Sequence, residues 1–182
     1  MGDWVTRWRV RVGYPLAIVV FWLARPIPRS LVWGAIIGGV GLVVRGLAAG
    51  YLQKNAALAV CGPYSYTRNP LYLGSAMLAA GFAVACHSWM TAGVLAAYFA
   101  CFYPGVMRSE ERGLRALYGA SFEEYAARVP LFLPRFTAAR LKEAPPQPFS
   151  WKQYAKNREY QAAVGFVVVL GVLYLLPRWR GR

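Results

Sequence analysis

The sequence predicts an all-helical, polytopic membrane bundle of about five spans, and three observations carry that prediction. Hydrophobic residues make up 58% of the 182-residue chain, where a soluble domain runs about 45–50% apolar. Mean hydropathy is +0.34, and the apolar residues are gathered into long runs. The basic residues behind the +14 formal charge flank those runs instead of forming one patch, which fits cytoplasmic membrane segments and argues against a nucleic-acid partner.

The first run, Val12 to Ala24, is short and bracketed by arginines whose stems can snorkel. It meets Arg25-Pro26-Ile27-Pro28-Arg29, which is not a small-residue cleavage site, so it is expected to stay as a span. The second, Leu31 to Leu52, is long enough to cross a bilayer core at 1.5 Å per residue. Leu71 to Cys86 and Trp89 to Met107 form a predicted hairpin around His87-Ser88. The fifth, Ala162 to Pro177, lies between the interface-type aromatics Tyr160 and Trp179.

Charge orients the bundle. With the N-terminus inside, Arg7, Arg9, Arg11, Lys54, Arg68 and the basic residues from Arg108 to Arg158 are cytoplasmic. Outside lie Arg25, Arg29, Arg178, Arg180 and Arg182, and that basic C-terminus runs against the positive-inside rule. Within the second span, Gly34-xxx-Gly38 and Gly46-xxx-Gly50 are spaced for close helix approach. Gly39-Val-Gly41 lacks the third glycine and preceding strand of a nucleotide loop. Cys61, Cys86 and Cys101 have no metal-ligand spacing.

After the fourth span, Pro104-Gly105 is expected to break or kink the helix. A polar helix from Arg108 to Tyr118 should follow, stopped by Gly119. Ser121-Phe-Glu-Glu124 reads as a capping box for a short helix ending before Pro130. Leu131 to Pro148 is proline-rich and expected to be irregular. Trp151, Lys152, Tyr154 and Lys156 predict an interfacial helix leading into the last span.

Three features exceed what a structural bundle needs. Arg45 lies inside the second span, where a charge faces a partner or a water-filled cavity; a bundle-stabilising contact to a carbonyl is the plainer alternative. The stretch GPYSYTRNPLYLG, residues 62–74, offers the Arg68 fork to an anion and Tyr64, Tyr66 and Tyr72 for packing and hydrogen bonds. Finally, Ser109-Glu110-Glu111-Arg112 places two carboxylates in basic surroundings. Glu111 can pair with Arg115 one turn on, but Glu110 has Leu114 at that spacing.

GPYSYTRNPLYLG together with EERGLRALYGASFEEYAARVPLFLP resembles the isoprenylcysteine carboxyl methyltransferase and phospholipid methyltransferase superfamily, over about Arg45 to Pro134. The resemblance implies one integral-membrane domain, residues 1–182, with its core motifs in 45–134 and an added interfacial helix and span in 150–182. It implies S-adenosylmethionine as cofactor, enclosed by interfacial helices at the cytoplasmic helix ends. By the family pattern the cofactor pocket maps to Leu58, Tyr64, Arg68, Asn69, Pro70, Leu71, Tyr72 and Glu110. Arg108 is the nearest match to an arginine proposed for the acceptor, and Glu111 is carried over as the second catalytic candidate.

Two departures from the family bear on the chemistry. Asn69 stands where the family has His, so this position hydrogen-bonds but does not titrate near neutrality. An acceptor that loses a proton would then depend on Glu110, Glu111, a tyrosine or water. One already anionic needs only alignment, which favours a carboxylate acceptor over the amine, phenol and thiol that stay open. Secondly, the chain continues into WKQYAKNREYQ and a further span. This is either an anchor or a lid in which Trp151, Tyr154, Asn157, Arg158 and Tyr160 wall the acceptor entrance. The expected function is methyl transfer to a lipophilic acceptor drawn from the membrane lipids, in a bacterial or archaeal inner membrane, with the site facing the cytoplasm and no obligate protein partner. An NADPH-dependent membrane reductase and an inactive scaffold are the alternatives.

Overall fold

The structure is a computed structural model that describes residues 2–53, 56–140 and 147–181, and of residues 2–7 and 10 the backbone only. Lys54 and residues 141–146 of the proline-rich stretch lie outside the described residues, as does the side chain of Arg7. Among the described residues seven α-helices follow in order: α1 Gly2–Leu23, α2 Pro28–Tyr51, α3 Pro70–Cys86, α4 Trp89–Tyr118, α5 Ala120–Arg128, α6 Trp151–Lys156 and α7 Tyr160–Trp179. A 3-10 turn, Gly62–Ser65, precedes α3.

Five of these helices correspond to the five apolar runs. Three of them, α2, α4 and α7, are long and apolar enough to cross a membrane; Arg11–Leu23 within α1 and Pro70–Cys86 are shorter apolar helices. The protein is thus a helical membrane bundle, with two shorter members of the predicted five.

The second helix, α2, is the spine, and glycines let it be so. A Cβ at Gly41 would lie 2.7 Å from the Gly74 carbonyl oxygen, and one at Gly81 would lie 2.6 Å from the Gly38 amide nitrogen. The backbones of α2 and α3 therefore touch directly, which is the approach that Gly34-xxx-Gly38 predicts. Gly46 and Gly50 serve another purpose, facing the rings of Tyr154 and Phe149. On the other side of α2, Val32, Trp33, Ile36, Val40, Val43 and Leu47 are exposed. That apolar stripe is the face suited to acyl chains. Gly81→Leu is expected to wedge α2 from α3 and destabilise the bundle by about 1–3 kcal/mol or more. Gly39→Ala, with nothing within 4 Å of the added carbon, should leave the unfolding midpoint in detergent unlowered and raise it slightly, since Ala is favoured over Gly in a helix interior by about 0.5–1 kcal/mol.

One end of the bundle is tied by backbone. The α3–α4 hairpin turns at His87 in the left-handed region (φ 49°), and Ser88 Oγ accepts from Thr91 N to start α4. The Arg25 amide donates to Cys86 O at 2.7 Å, and Ser30 Oγ donates to Ala85 O at 3.0 Å. Arg180 donates to Ala24 O (2.8 Å) and Phe21 O (2.9 Å). Arg180 of the basic C-terminus is therefore engaged with the carbonyls that end α1, opposite the end where Arg9 and Glu110 lie, while Arg182 lies outside the described residues.

Two local expectations fail. The break expected at Pro104-Gly105 does not occur, because α4 continues through it to Tyr118. Tyr103, the residue before Pro104, stacks on Phe99 at 4.1 Å and meets Tyr72 edge-on at 5.5 Å. Nor is Ser121 an N-cap. Gly119, at φ 51°, both ends α4 and begins α5, so Ser121 already lies within the helix. The predicted ends at Gly119 and before Pro130 do hold.

Candidate active site

The end of the bundle opposite the hairpin holds a cavity of about 730 Å³, within the range of small-molecule sites. Its first wall is the 62–74 stretch, and the sequence shows why it turns there. Gly62 takes φ +58° against the Tyr51 ring, Ser65 Oγ donates to Gly62 O at 2.7 Å, and Pro70 supplies the first turn of α3.

A strap formed by residues 130–139 locks this turn from outside. Arg68 N donates to Pro130 O at 2.9 Å, Thr67 Oγ1 to Phe132 O at 2.8 Å and Asn69 Nδ2 to Leu131 O at 2.9 Å. Asn69 thus spends its amide on a backbone carbonyl, a bond that needs an N–H donor and no titrating group.

The unbroken α4 carries the carboxylates to that wall. Arg68 NH1 lies 3.0 Å from Glu111 Oε1, and the Tyr72 hydroxyl donates to Glu110 Oε1. The Arg68–Glu111 contact is one of charge, without hydrogen-bond geometry. Arg68 Nε and Glu111 Oε1 are buried with no hydrogen-bond partner among the described residues, so the wall carries one unused donor and one unused acceptor.

Arg45 forms the deeper wall. Its Nε donates to Glu159 Oε2 at 2.9 Å and its NH2 to Glu159 Oε1 at 2.8 Å. NH1 reaches Leu71 O at 3.3 Å and also Ser75 Oγ. Both sequence readings of Arg45 are therefore met, since it faces the cavity and binds a carbonyl. Tyr64 is buried beneath, with its carbonyl accepting from the Tyr125 hydroxyl at 2.8 Å. Burial first, then the Glu110 and Glu159 carboxylates, push its phenol well above the usual tyrosine range. Tyr64 is consequently a neutral hydrogen-bonding group and not a base.

Leu58, Tyr64, Arg68, Asn69, Pro70, Leu71, Tyr72, Glu110 and Glu111 all line this one cavity. Arg108 is exposed one helical turn from Glu111 and is not part of the lining. Nor are Trp151, Tyr154, Asn157, Arg158 or Tyr160. Asn157 instead donates to Ala49 O (2.9 Å) and Leu52 O (3.0 Å), capping α2. From that segment it is Glu159 that reaches the cavity.

Sequence reasoning missed Glu159, Arg9, Tyr103 and Gln147. Glu159 was legible only as one of seven acidic residues in a basic chain. Arg9 lines the cavity with its guanidinium 5.7 Å from the Tyr103 ring. Gln147 holds Leu58 in place, donating to its carbonyl at 2.8 Å and accepting from Val60 N at 3.3 Å.

The class that fold and site define is a helical membrane bundle whose two separated motifs meet at one charged cavity at the end of its helices. More particularly, the chain belongs to the phospholipid methyltransferase family, whose sequence model matches residues 8–121. It is 36% identical over 143 residues to the cobalt-zinc-cadmium resistance protein CzcN of Cupriavidus metallidurans, covering 73% of this chain and 64% of that protein. It is 38% identical over 88 residues to the nickel-cobalt-cadmium resistance protein NccN of Alcaligenes xylosoxydans xylosoxydans, covering 48% and 41%. The chain thus spans less than two thirds of the length of these relatives. No solved structure matches it. Among the described residues, no group of three or more His, Cys, Asp or Glu side chains is placed to hold a metal ion.

Proposed function

We propose that the protein is an S-adenosylmethionine-dependent methyltransferase acting on a lipophilic acceptor at the cytoplasmic edge of the membrane. The observation that carries this reading is the meeting of the Arg68 turn and the Glu110-Glu111 pair in one cavity. Bound S-adenosylmethionine supplies an electrophilic methyl group on a sulfonium.

The donor set fits that molecule. Arg68, with its unused Nε, would hold the carboxylate, and Glu110 would accept from the ammonium or the ribose. Leu58, Pro70 and Leu71 offer apolar surface to the adenine, Asn69 holds its turn against the strap, and Tyr64 and Tyr72 present phenols. Glu111, held beside Arg68, keeps that guanidinium in place and adds negative charge near a sulfonium. With Tyr64 held neutral, the cavity supplies alignment more than proton abstraction, which favours an anionic acceptor such as a carboxylate.

The test is calorimetry on the purified protein with S-adenosylmethionine and with NADPH. S-Adenosylmethionine is expected to bind and NADPH not. Binding of NADPH alone would make the protein a reductase, and binding of neither a scaffold.

A further inference from the structure

The strap that locks the cavity turn also carries a second basic site, outside the catalytic cavity. Arg128, Arg135 and Arg140 line a separate open cavity of about 500 Å³ with Ala127, Ala138 and Ala139. Two of the guanidiniums are organised by backbone: Arg128 NH1 donates to Arg140 O at 2.9 Å, and Arg135 NH1 donates to Arg128 O. One carboxylate offsets them, Glu124, 3.1 Å from Arg128 NH2. Arg140 pairs with no carboxylate among the described residues.

Beside this basic pocket the strap exposes large apolar side chains. Phe136 is fully exposed and Leu133 is 73% exposed. Phe132, just ahead of them in sequence, packs at 5.8 Å on Phe99 of the membrane-crossing helix α4. The strap therefore lies along a span with an apolar edge, and its Arg135 with the flanking Arg128 and Arg140, less Glu124, leaves two net positive charges. Soluble anions match only the charges; a phospholipid of the cytoplasmic leaflet matches both.

We propose that this face is a binding site for an anionic phospholipid, with the phosphate among Arg128, Arg135 and Arg140 and the acyl region against Leu133 and Phe136. Occupancy is coupled to the cavity, because the same strap holds Thr67, Arg68 and Asn69 by their backbone and side-chain bonds. Arg135 N donates to Tyr66 O and Ala139 N to Ser65 O, both at 2.9 Å, so the arginine-bearing part of the strap grips the turn too. An anionic lipid then stiffens the wall that carries Arg68.

Native mass spectrometry of the full chain released from nanodiscs tests the site directly. Discs of phosphatidylcholine with phosphatidylglycerol should yield a phosphatidylglycerol adduct, and R128Q/R135Q/R140Q should weaken its retention about 100-fold, the effect of removing three basic charges at an anionic surface. R140E alone should weaken it in the same direction, and L133S/F136S should weaken it with every arginine present. Equal adducts on wild type and variants, or phosphatidylcholine retained as well as phosphatidylglycerol, would overturn the proposal. So would free glycerol phosphate displacing the lipid, which would mark a soluble-anion site. Thermal unfolding in the same discs reads the coupling: wild type should be more stable with phosphatidylglycerol, and the triple variant indifferent to it. These readouts need no methyl donor, so they stand or fall separately from the enzymatic reading.

Discussion

Arg68→Ala is expected to lower the affinity for S-adenosylmethionine by about 30-fold or more, and Glu110→Ala to do the same. A hydrogen-bonded charge pair at a desolvated site costs about 2–5 kcal/mol when one side is truncated, and about 1.4 kcal/mol is a tenfold change in affinity. The two variants differ in what they leave behind. Glu110 is exposed and accepts from Tyr72, so its loss should leave folding almost untouched. Arg68 removal strands Glu111, whose side chain is 13% exposed. The single Arg68→Ala variant should therefore also lose stability, and Arg68→Ala/Glu111→Ala should recover stability without recovering binding. Calorimetry paired with thermal unfolding separates these effects. Unchanged affinity in both single variants would remove Arg68 and Glu110 from the site.

The pairing of Arg68 with Glu111 shows how far one sequence can be read. Composition and run length place the spans because a membrane imposes the same constraint on every residue of a run. His87-Ser88 and Gly34-xxx-Gly38 were legible because turns and close packing need particular residue types locally. Of the break or kink expected at Pro104 the break is absent, since α4 runs on to Tyr118 with the Tyr103 ring packed on Phe99 and Tyr72. Ser121 was misread because Gly119, two residues earlier, supplies the left-handed turn that begins α5. The site residues of the motif stretches were legible through family resemblance, and they meet in one cavity. Arg9 was hidden because an arginine before an apolar run already has a complete explanation in the positive-inside rule. Glu159 was hidden for a different reason: its partner Arg45 is 114 residues away, and no local pattern announces a pairing across that distance.

That distant pair carries the second large expectation. Glu159→Ala should destabilise the protein by about 2–4 kcal/mol, just below the full cost of leaving a buried charge without its partner, because the Arg45 side chain retains 21% exposure. Arg45→Ala should cost less. A stranded glutamate can take up a proton, whereas a guanidinium stays charged at any ordinary pH. Replacing both by apolar groups, Arg45→Met/Glu159→Met, should recover much of the loss, since a buried ion pair and a well-packed apolar pair are often comparable in stability. Ser75 and the Leu71 carbonyl would lose the guanidinium donor in that variant, so recovery should be incomplete. Unfolding free energies in detergent give the order directly. If Arg45→Ala proved the more damaging single change, or if Glu159→Ala were silent, the guanidinium would be reaching water on its own, and α7 would not be held to α2 through this contact.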